Sequence, residues 1–415
     1  MINVERFTLS NGLRVLYHFD ANTRMTALNV LYDVGSKDDS PHRTGFAHLF
    51  EHLMFGGSNN IPDFDNPLQL AGGENNAWTS NDVTNYYTIA PTHNIETAFW
   101  LESDRMLGLD FSQHNLDVQR HVVIEEFKQR NLNQPYGDVY QLLRPLVYTH
   151  HPYRWPVIGR SIEDIENATL DEVKAFYYAH YAPNNAILCV SGSLPLDDTK
   201  RLCEKWFAPI ESRHIVARNL TPEPPQEQLR RLSVERNVPL DAIVITYRMC
   251  KRTDKAYHAC DLLSDILGTG TSSRLHKELV LNKRLFNSID ASISGEIEDG
   301  LFLINGKLNK GVSIESGEAA ILEEIARLQQ DGITDYELNK VVNRFESEHL
   351  ITNLNYAEKA ANLAYHELIG RAEDINQEVD KYRALTPDTI RQVARNTLQE
   401  KNCSILHYHT LSAIS

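Results

Sequence analysis

The chain has 415 residues, of which 42% are hydrophobic, so it is long and apolar enough for two or three ordinary domains. A formal net charge of −15 argues against a nucleic-acid-binding protein, because phosphate groups are bound by basic surfaces. No run of about 18 apolar residues predicts a membrane span, and the five scattered cysteines indicate neither a disulfide framework nor a thiolate zinc site.

The first half of the sequence alternates strand and helix signals. Residues on both sides of Asn11-Gly12 predict a hairpin over 6–17, and the apolar alternation over 28–34 predicts a strand with one face in the core. The same kinds of signal predict a second hairpin over 76–90, helices over 95–107, 116–130 and 170–181, and a short buried strand over 187–190.

Between the two hairpins, residues 46–53 carry apolar side chains at helical spacing, with Thr44 as the predicted N-cap. His48, Glu51 and His52 then lie together on the opposite side of this helix. Two histidines one turn apart can share a metal ion, and zinc favours imidazole ligands. Glu51 is placed to act on water rather than to bind the metal. The order H-x-x-E-H is the inverzincin pattern; the alternative is a solvent-facing polar stripe with two unrelated histidines.

Such a metal site needs a third ligand from another part of the chain. A carboxylate in the helical segment 120–127 is the best candidate. Glu125 and Glu126 both lie there, and helix geometry alone does not choose between them.

The composition changes at residues 213–228, which are rich in Pro, Glu, Gln and Arg and are predicted to form a linker. On its two sides, Thr169 and Thr386 are predicted N-caps, and each is followed by an Asn before a short apolar strand. This repetition predicts a duplicated domain. We therefore expect an α+β protein with two structurally similar domains, 1–212 and 229–415, each a mostly antiparallel sheet packed with helices.

An ordered set of short motifs carries a family resemblance. The motifs are Leu9-Ser10-Asn11-Gly12-Leu13-Arg14-Val15, residues 45–55, Asn76-Ala77-Trp78-Thr79, Thr84-Asn85-Tyr86-Tyr87, residues 122–126, Tyr181-Ala182-Pro183-Asn184-Asn185 and Ser272-Ser273-Arg274-Leu275. The chain resembles the pitrilysin, insulin-degrading enzyme and mitochondrial processing peptidase superfamily of zinc metallopeptidases. The likeness covers nearly the whole chain and is densest before the linker. It implies half of a clamshell peptidase with a catalytic first domain and a non-catalytic second domain.

The resemblance also implies a set of site residues. One Zn²⁺ per chain would be held by His48, His52 and Glu126, and Glu51 would be the general base of a metal-assisted peptide hydrolysis. Seven positions before Glu126 the family tends to carry a supporting glutamate, and Gln119 stands there. An amide can hydrogen-bond a ligand without adding charge, so it would support the metal less strongly.

The strand of Asn76, Ala77, Trp78 and Thr79 is expected to bind an extended peptide through main-chain hydrogen bonds, with Asn76 meeting the substrate backbone. Ordinary sheet packing is the preferred interpretation of the Trp78 side chain. The family's Arg/Tyr pair, which orients substrate, aligns here with Val280 and Asn287 and is therefore missing.

Single-chain members of the superfamily contain four such domains, whereas this chain holds two. We therefore expect an endopeptidase acting on peptides or presequence-like segments inside a dimeric chamber. A half-length companion subunit would supply the Arg/Tyr pair, and a homodimer is the alternative. Two rival interpretations are a non-catalytic peptide-binding or assembly subunit of core-protein type, and an unrelated zinc hydrolase. We expect a cytoplasmic protein, or a periplasmic one if a signal has been removed.

Overall fold

The structure is a computed structural model and describes residues 1–411. These residues form two sheets with surrounding helices. The strands are β1 (Glu5–Thr8), β2 (Arg14–Phe19), β3 (Met25–Tyr32), β4 (Glu74–Thr79), β5 (Thr84–Pro91), β6 (Ala186–Gly192), β7 (Arg230–Arg236), β8 (Ala242–Arg248), β9 (Phe286–Ser294), β10 (Leu301–Leu308) and β11 (Cys403–Thr410).

The helices are joined by several short 3-10 and π turns. They are α1 (Phe46–Leu53), α2 (Asp65–Leu70), α3 (Glu96–Leu107), α4 (Gln113–Phe127), α5 (Val139–Val147), α6 (Ile162–Glu166), α7 (Leu170–His180), α8 (Leu196–Trp206), α9 (Tyr257–Gly268), α10 (Ile314–Asp331), α11 (Asp335–Thr352), α12 (Tyr356–Ile369), α13 (Glu378–Arg383) and α14 (Pro387–Thr397). None of the described helices has the length and apolar character needed to cross a membrane.

The first unit contains a six-stranded sheet in the order β1-β2-β6-β3-β5-β4. The β2–β6 pair is parallel and the other pairs are antiparallel, and both predicted hairpins, β1–β2 and β4–β5, are confirmed. Successive residues of β3 point to opposite faces of the sheet. Leu28 and Val30 join the core that includes α1, whereas Ala27 and Leu31 pack with α12. Strand β3 is therefore buried on both faces. In the strand order given above, β4 is an edge strand.

The second unit repeats this topology. Its sheet has the order β7-β11-β8-β10-β9, which matches β2-β6-β3-β5-β4 strand for strand, including the one parallel pair, β7–β11. The repeated N-caps are also confirmed, because the Thr169 hydroxyl accepts from the Glu172 N–H and the Thr386 hydroxyl accepts from the Thr389 N–H. The mixed α+β fold is the predicted one.

The two units are not continuous in sequence, which the predicted ranges 1–212 and 229–415 did not anticipate. The first unit comprises Met1–Gln129, Trp155–Leu220 and Leu350–Gln377; the second comprises Arg130–Arg154, Thr221–His349 and the described residues from Glu378 onward. The reason is packing: α12 buries its apolar face on the first sheet, and α5 buries Leu143 and Val147 against the second. The predicted linker segment 213–228 contains no helix or strand.

Candidate metal centre

Helix α1 begins differently from the prediction. Its N-cap is Gly45, with φ 88°, and not Thr44, because the chain enters the helix through a left-handed conformation that suits glycine. The buried Asp39 carboxylate accepts from the N–H groups of Gly45 at 2.7 Å and Ala47 at 3.0 Å. Burial raises the pKa of Asp39, and these N–H groups act in the opposite direction. The Thr44 hydroxyl instead donates to Asp164 at 2.6 Å.

The apolar face of α1 fixes the direction of its polar face. Leu49 and Phe50 are fully buried in the first core. His48, Glu51 and His52 consequently share the other side of the helix, as predicted. The two imidazole rings have centroids 5.0 Å apart; His48 is buried, and the His52 side chain is 23% exposed.

The third member of the cluster comes from α4. The Glu126 Oε2 atom lies 3.3 Å from His52 Nε2 and 3.6 Å from His48 Nε2. Glu125, by contrast, points into solvent with 71% of its side chain exposed and pairs with Lys128 Nζ at 2.7 Å. The structure thus brings Glu126, and not Glu125, to the histidines. Immediately after Phe127 the helix changes to a π turn, Lys128–Leu132, a feature often found at functional sites.

This donor set fits a zinc ion. One ligand atom from each of His48, His52 and Glu126 can be chosen so that all three lie within 4.8 Å of one another. Tetrahedral zinc with bonds of about 2.0–2.2 Å keeps its ligand atoms roughly 3.3–3.6 Å apart, and the two imidazole–carboxylate distances lie in that range. Two imidazoles and one carboxylate are also the protein ligands of one type of catalytic zinc site.

Glu51 reaches from α1 toward the edge strand. The Thr79 hydroxyl, at the end of β4, donates to Glu51 Oε2 at 2.6 Å. This contact was not expected, because Thr79 was assigned only to the strand that would receive a peptide.

The predicted substrate strand is β4, which among the described strands pairs only with β5 and so presents an open edge. Its side chains alternate between exposed and half-buried, with Asn76 and Trp78 on the exposed side and Ala77 and Thr79 on the other. Trp78 is 39% exposed, and its ordinary sheet packing stays a prediction. The Asn76 side-chain oxygen accepts from the Ala77 N–H at 2.8 Å.

Three further residues of the sequence analysis lie as follows. Gln119 is half-buried on α4, two turns before Glu126, and its supporting role stays a prediction. In the second unit, Val280 packs partly against the core and Asn287 is exposed on β9.

Sequence reasoning missed the role of segment 35–39, which forms hydrogen bonds both to the turn after β4 and to the start of α1. The Lys37 ammonium pairs with Asp82 at 2.9 Å, and both side chains are only 4% exposed. The backbone N–H of Lys37 donates to Asn81 O at 2.9 Å, and that of Ser36 donates to Ser80 O at 3.1 Å. No local spacing signals these bonds, because they join residues more than forty positions apart.

Comparison with protein families gives two matches in chain order. The model described as insulinase (peptidase family M16) matches residues 14–157, which contain all four residues of the H-x-x-E-H and Glu126 cluster. The model described as the peptidase M16 inactive domain matches residues 167–345.

Comparison with known proteins agrees with these matches. The chain is 31% identical over 365 residues to the zinc protease PqqE of Helicobacter pylori, covering 86% of this chain and 82% of that protein. The crystal structure of a protease from Helicobacter pylori is similar with a TM-score of 0.94 at 27% identity, covering 99% of this chain and 100% of that one. Pitrilysin has the same fold, with a TM-score of 0.77 at 16% identity; 98% of this chain matches 45% of pitrilysin. The resemblance inferred from the motifs is confirmed: the chain belongs to the M16 (insulinase) family of peptidases.

Proposed function

We propose that this chain is a zinc-dependent endopeptidase in which His48, His52 and Glu126 hold one Zn²⁺ and Glu51 is the general base. The observation that carries the proposal is the convergence of two imidazoles from α1 and a carboxylate from α4, far apart in sequence. Membership of the M16 family supports the same assignment. A non-catalytic subunit of core-protein type has no need of this intact donor set.

The catalytic steps belong to Glu51. A zinc ion bound by the three ligands would act as a Lewis acid on the scissile carbonyl and would make water more acidic. The Glu51 carboxylate takes the proton of the attacking water and later delivers it to the leaving amine. Its place one residue before His52 on the same helix keeps it beside the reacting bond without occupying a ligand position.

The substrate is held by β4. An extended peptide adds to the open edge of this strand and forms main-chain hydrogen bonds, so that binding depends little on the side chains of the substrate. In the unbound protein the Ala77 N–H is bound by the Asn76 side chain. We expect Asn76 to release this N–H and to contact the peptide backbone instead.

The test is the Glu51→Gln variant. It should retain one zinc per chain and lose peptide turnover by about 10²–10⁴-fold, because a general base typically contributes that much. Glu125→Gln is the matched control, since Glu125 is exposed and does not contact the histidines. Zinc content and cleavage of an internally quenched peptide are measured on the same preparations. Normal turnover by the Glu51 variant, or a parent protein that binds no zinc, would contradict the proposal.

We also propose that the active form includes a companion half-length subunit carrying the Arg/Tyr pair that Val280 and Asn287 do not provide. The match to less than half of pitrilysin supports this. Cleavage is measured with the purified chain alone and with the subunit that copurifies from its natural source. A clear increase on recombination is expected. Full activity of the isolated monomeric chain would exclude the requirement, and activity restricted to a homodimer would replace the heterodimer.

A further inference from the structure

We propose that Thr79 is the positioning residue of the general base: its hydroxyl group holds the Glu51 carboxylate in one orientation. The inference rests on the proposed function, because it gives Thr79 a role only if Glu51 takes the proton. The O–H···O distance of 2.6 Å is typical of a charge-assisted hydrogen bond to a carboxylate. Such bonds contribute more than bonds between neutral groups.

The strand gives this hydroxyl a fixed direction. Along β4, Asn75, Ala77 and Thr79 alternate with exposed neighbours, and Ala77 packs against the core that includes α1. The Thr79 side chain therefore lies on the face of the strand that α1 covers. A β-branched residue has few χ1 rotamers, so little conformational freedom is lost when its hydroxyl binds Glu51.

The backbone that carries Thr79 and the backbone that carries Glu51 are both held in place without the bond between these two side chains. Segment 35–39 holds both. At one end, Ser36 and Lys37 bind the backbone of the turn that follows Thr79; at the other, Asp39 binds the N–H groups that begin α1. Strand end and helix start are thus joined to the same five residues. Removing the Thr79 hydroxyl should leave both elements in place and remove one restraint on the Glu51 carboxylate.

The Glu51 side chain is long and flexible, and the Thr79 hydroxyl limits its orientations before the substrate binds. We therefore expect Thr79→Val, which keeps the shape and loses the hydroxyl, to lower kcat by about 10- to 100-fold, corresponding to one bond to a charged group. KM and the zinc content should stay within twofold of the parent values. Thr79→Ser, which restores the hydroxyl, should recover most of the lost kcat.

The control is Thr92→Val. Thr92 follows β5 in the same unit, and its hydroxyl contacts Thr26 and Ser193 rather than the metal cluster. This variant tests what the loss of a half-buried threonine hydroxyl does to the unit in general, and its kcat should remain that of the parent.

A second measurement does not depend on activity. Unfolding temperatures of the metal-free parent, Thr79→Val, Glu51→Ala and the double variant form a cycle that isolates the pairwise contact. The double variant should unfold at the same temperature as Glu51→Ala, because the hydroxyl then has lost its partner. Additive losses would overturn the inference.

The outcomes separate the two proposals. If Glu51→Gln abolishes turnover but Thr79→Val keeps the parent kcat, the positioning role is wrong and the proposed function stands. If Thr79→Val raises KM or loses zinc with kcat unchanged, Thr79 acts in substrate binding or in structure and the inference again fails. If Glu51→Gln turns over normally, the proposed function itself is wrong.

Discussion

The buried Lys37–Asp82 pair should be the most sensitive connection between the edge strand and the metal-site helix. Both side chains are 4% exposed and their charged atoms are 2.9 Å apart. Lys37→Met removes the cation and leaves the Asp82 charge buried, a change that typically costs about 3–5 kcal/mol. In a unit of this size each kcal/mol corresponds to roughly 2–4 °C, so we expect the unfolding temperature of the first unit to fall by about 10 °C.

The matched control removes both charges. In the double variant Lys37→Met, Asp82→Leu, neither charge of this pair remains, and most of the lost stability should return, because a buried pair replaced by apolar groups is often neutral. Calorimetry on the metal-free protein follows both variants. A single variant that unfolds within about 2 °C of the parent would refute the reasoning. So would a double variant as unstable as the single one, since the cost would then come from lost packing rather than from a buried Asp82 charge that has lost Lys37.

Further outcomes are expected at the proposed third ligand, in the second unit and at a helix start. Glu126→Gln should weaken zinc binding in a chelator competition by more than the roughly 10–100-fold typical of an outer partner, and Glu125→Gln should not. Arg274 and the Thr334 N–H overcome the effect of burial and lower the pKa of Glu337 from 4.5 to about 2. A depressed pKa contributes stability above pH 4.5 that is lost as the pH falls toward 2. After allowance for partial exposure, Arg274→Ala should remove about 1 kcal/mol at pH 6, and less at pH 3, in urea unfolding. Thr386→Ala should cost about 1 kcal/mol in the same assay, because it removes the N-cap of α14.

Local features of the site could be predicted from the sequence because they depend on neighbours along the chain. The period of Phe46, Leu49, Phe50 and Leu53 determined which face of α1 is buried, and the position of the H-x-x-E-H residues followed from it. The prediction of Thr44 as N-cap was wrong because the start of α1 depends on a residue outside the helical pattern. The Asp39 carboxylate accepts from the first N–H groups, and no rule about the residues next to the helix could identify it.

The choice between Glu125 and Glu126 shows where periodicity stops. Adjacent helical residues point about 100° apart, so only one of the two can face α1. Which side of α4 faces α1 depends on tertiary packing, and the helical period does not show it. Family resemblance supplied the choice that helix geometry left open. The sequence did not predict that residues 130–154 belong to the second unit and residues 350–377 to the first. The apolar stripe of α12 shows that this helix covers a sheet, but not which sheet.

The two units share a topology, so a comparison of their side chains shows which features depend on particular residues rather than on the fold. In chain order α9 stands between β8 and β9, as α1 stands between β3 and β4. The polar side chains of α9 nevertheless form a different network. The Tyr382 hydroxyl donates to Asp261, and Arg344 lies 3.7 Å from Asp265. Burial raises the pKa of both aspartates; the Tyr382 bond opposes this shift at Asp261, and the Thr269 bond and the Arg344 charge oppose it at Asp265. This network has no imidazole pair to offer a metal, which agrees with the match of this half to an inactive domain. The two units therefore share a topology but carry different polar side chains, and the proposed peptidase chemistry depends on His48, Glu51, His52 and Glu126 rather than on the fold.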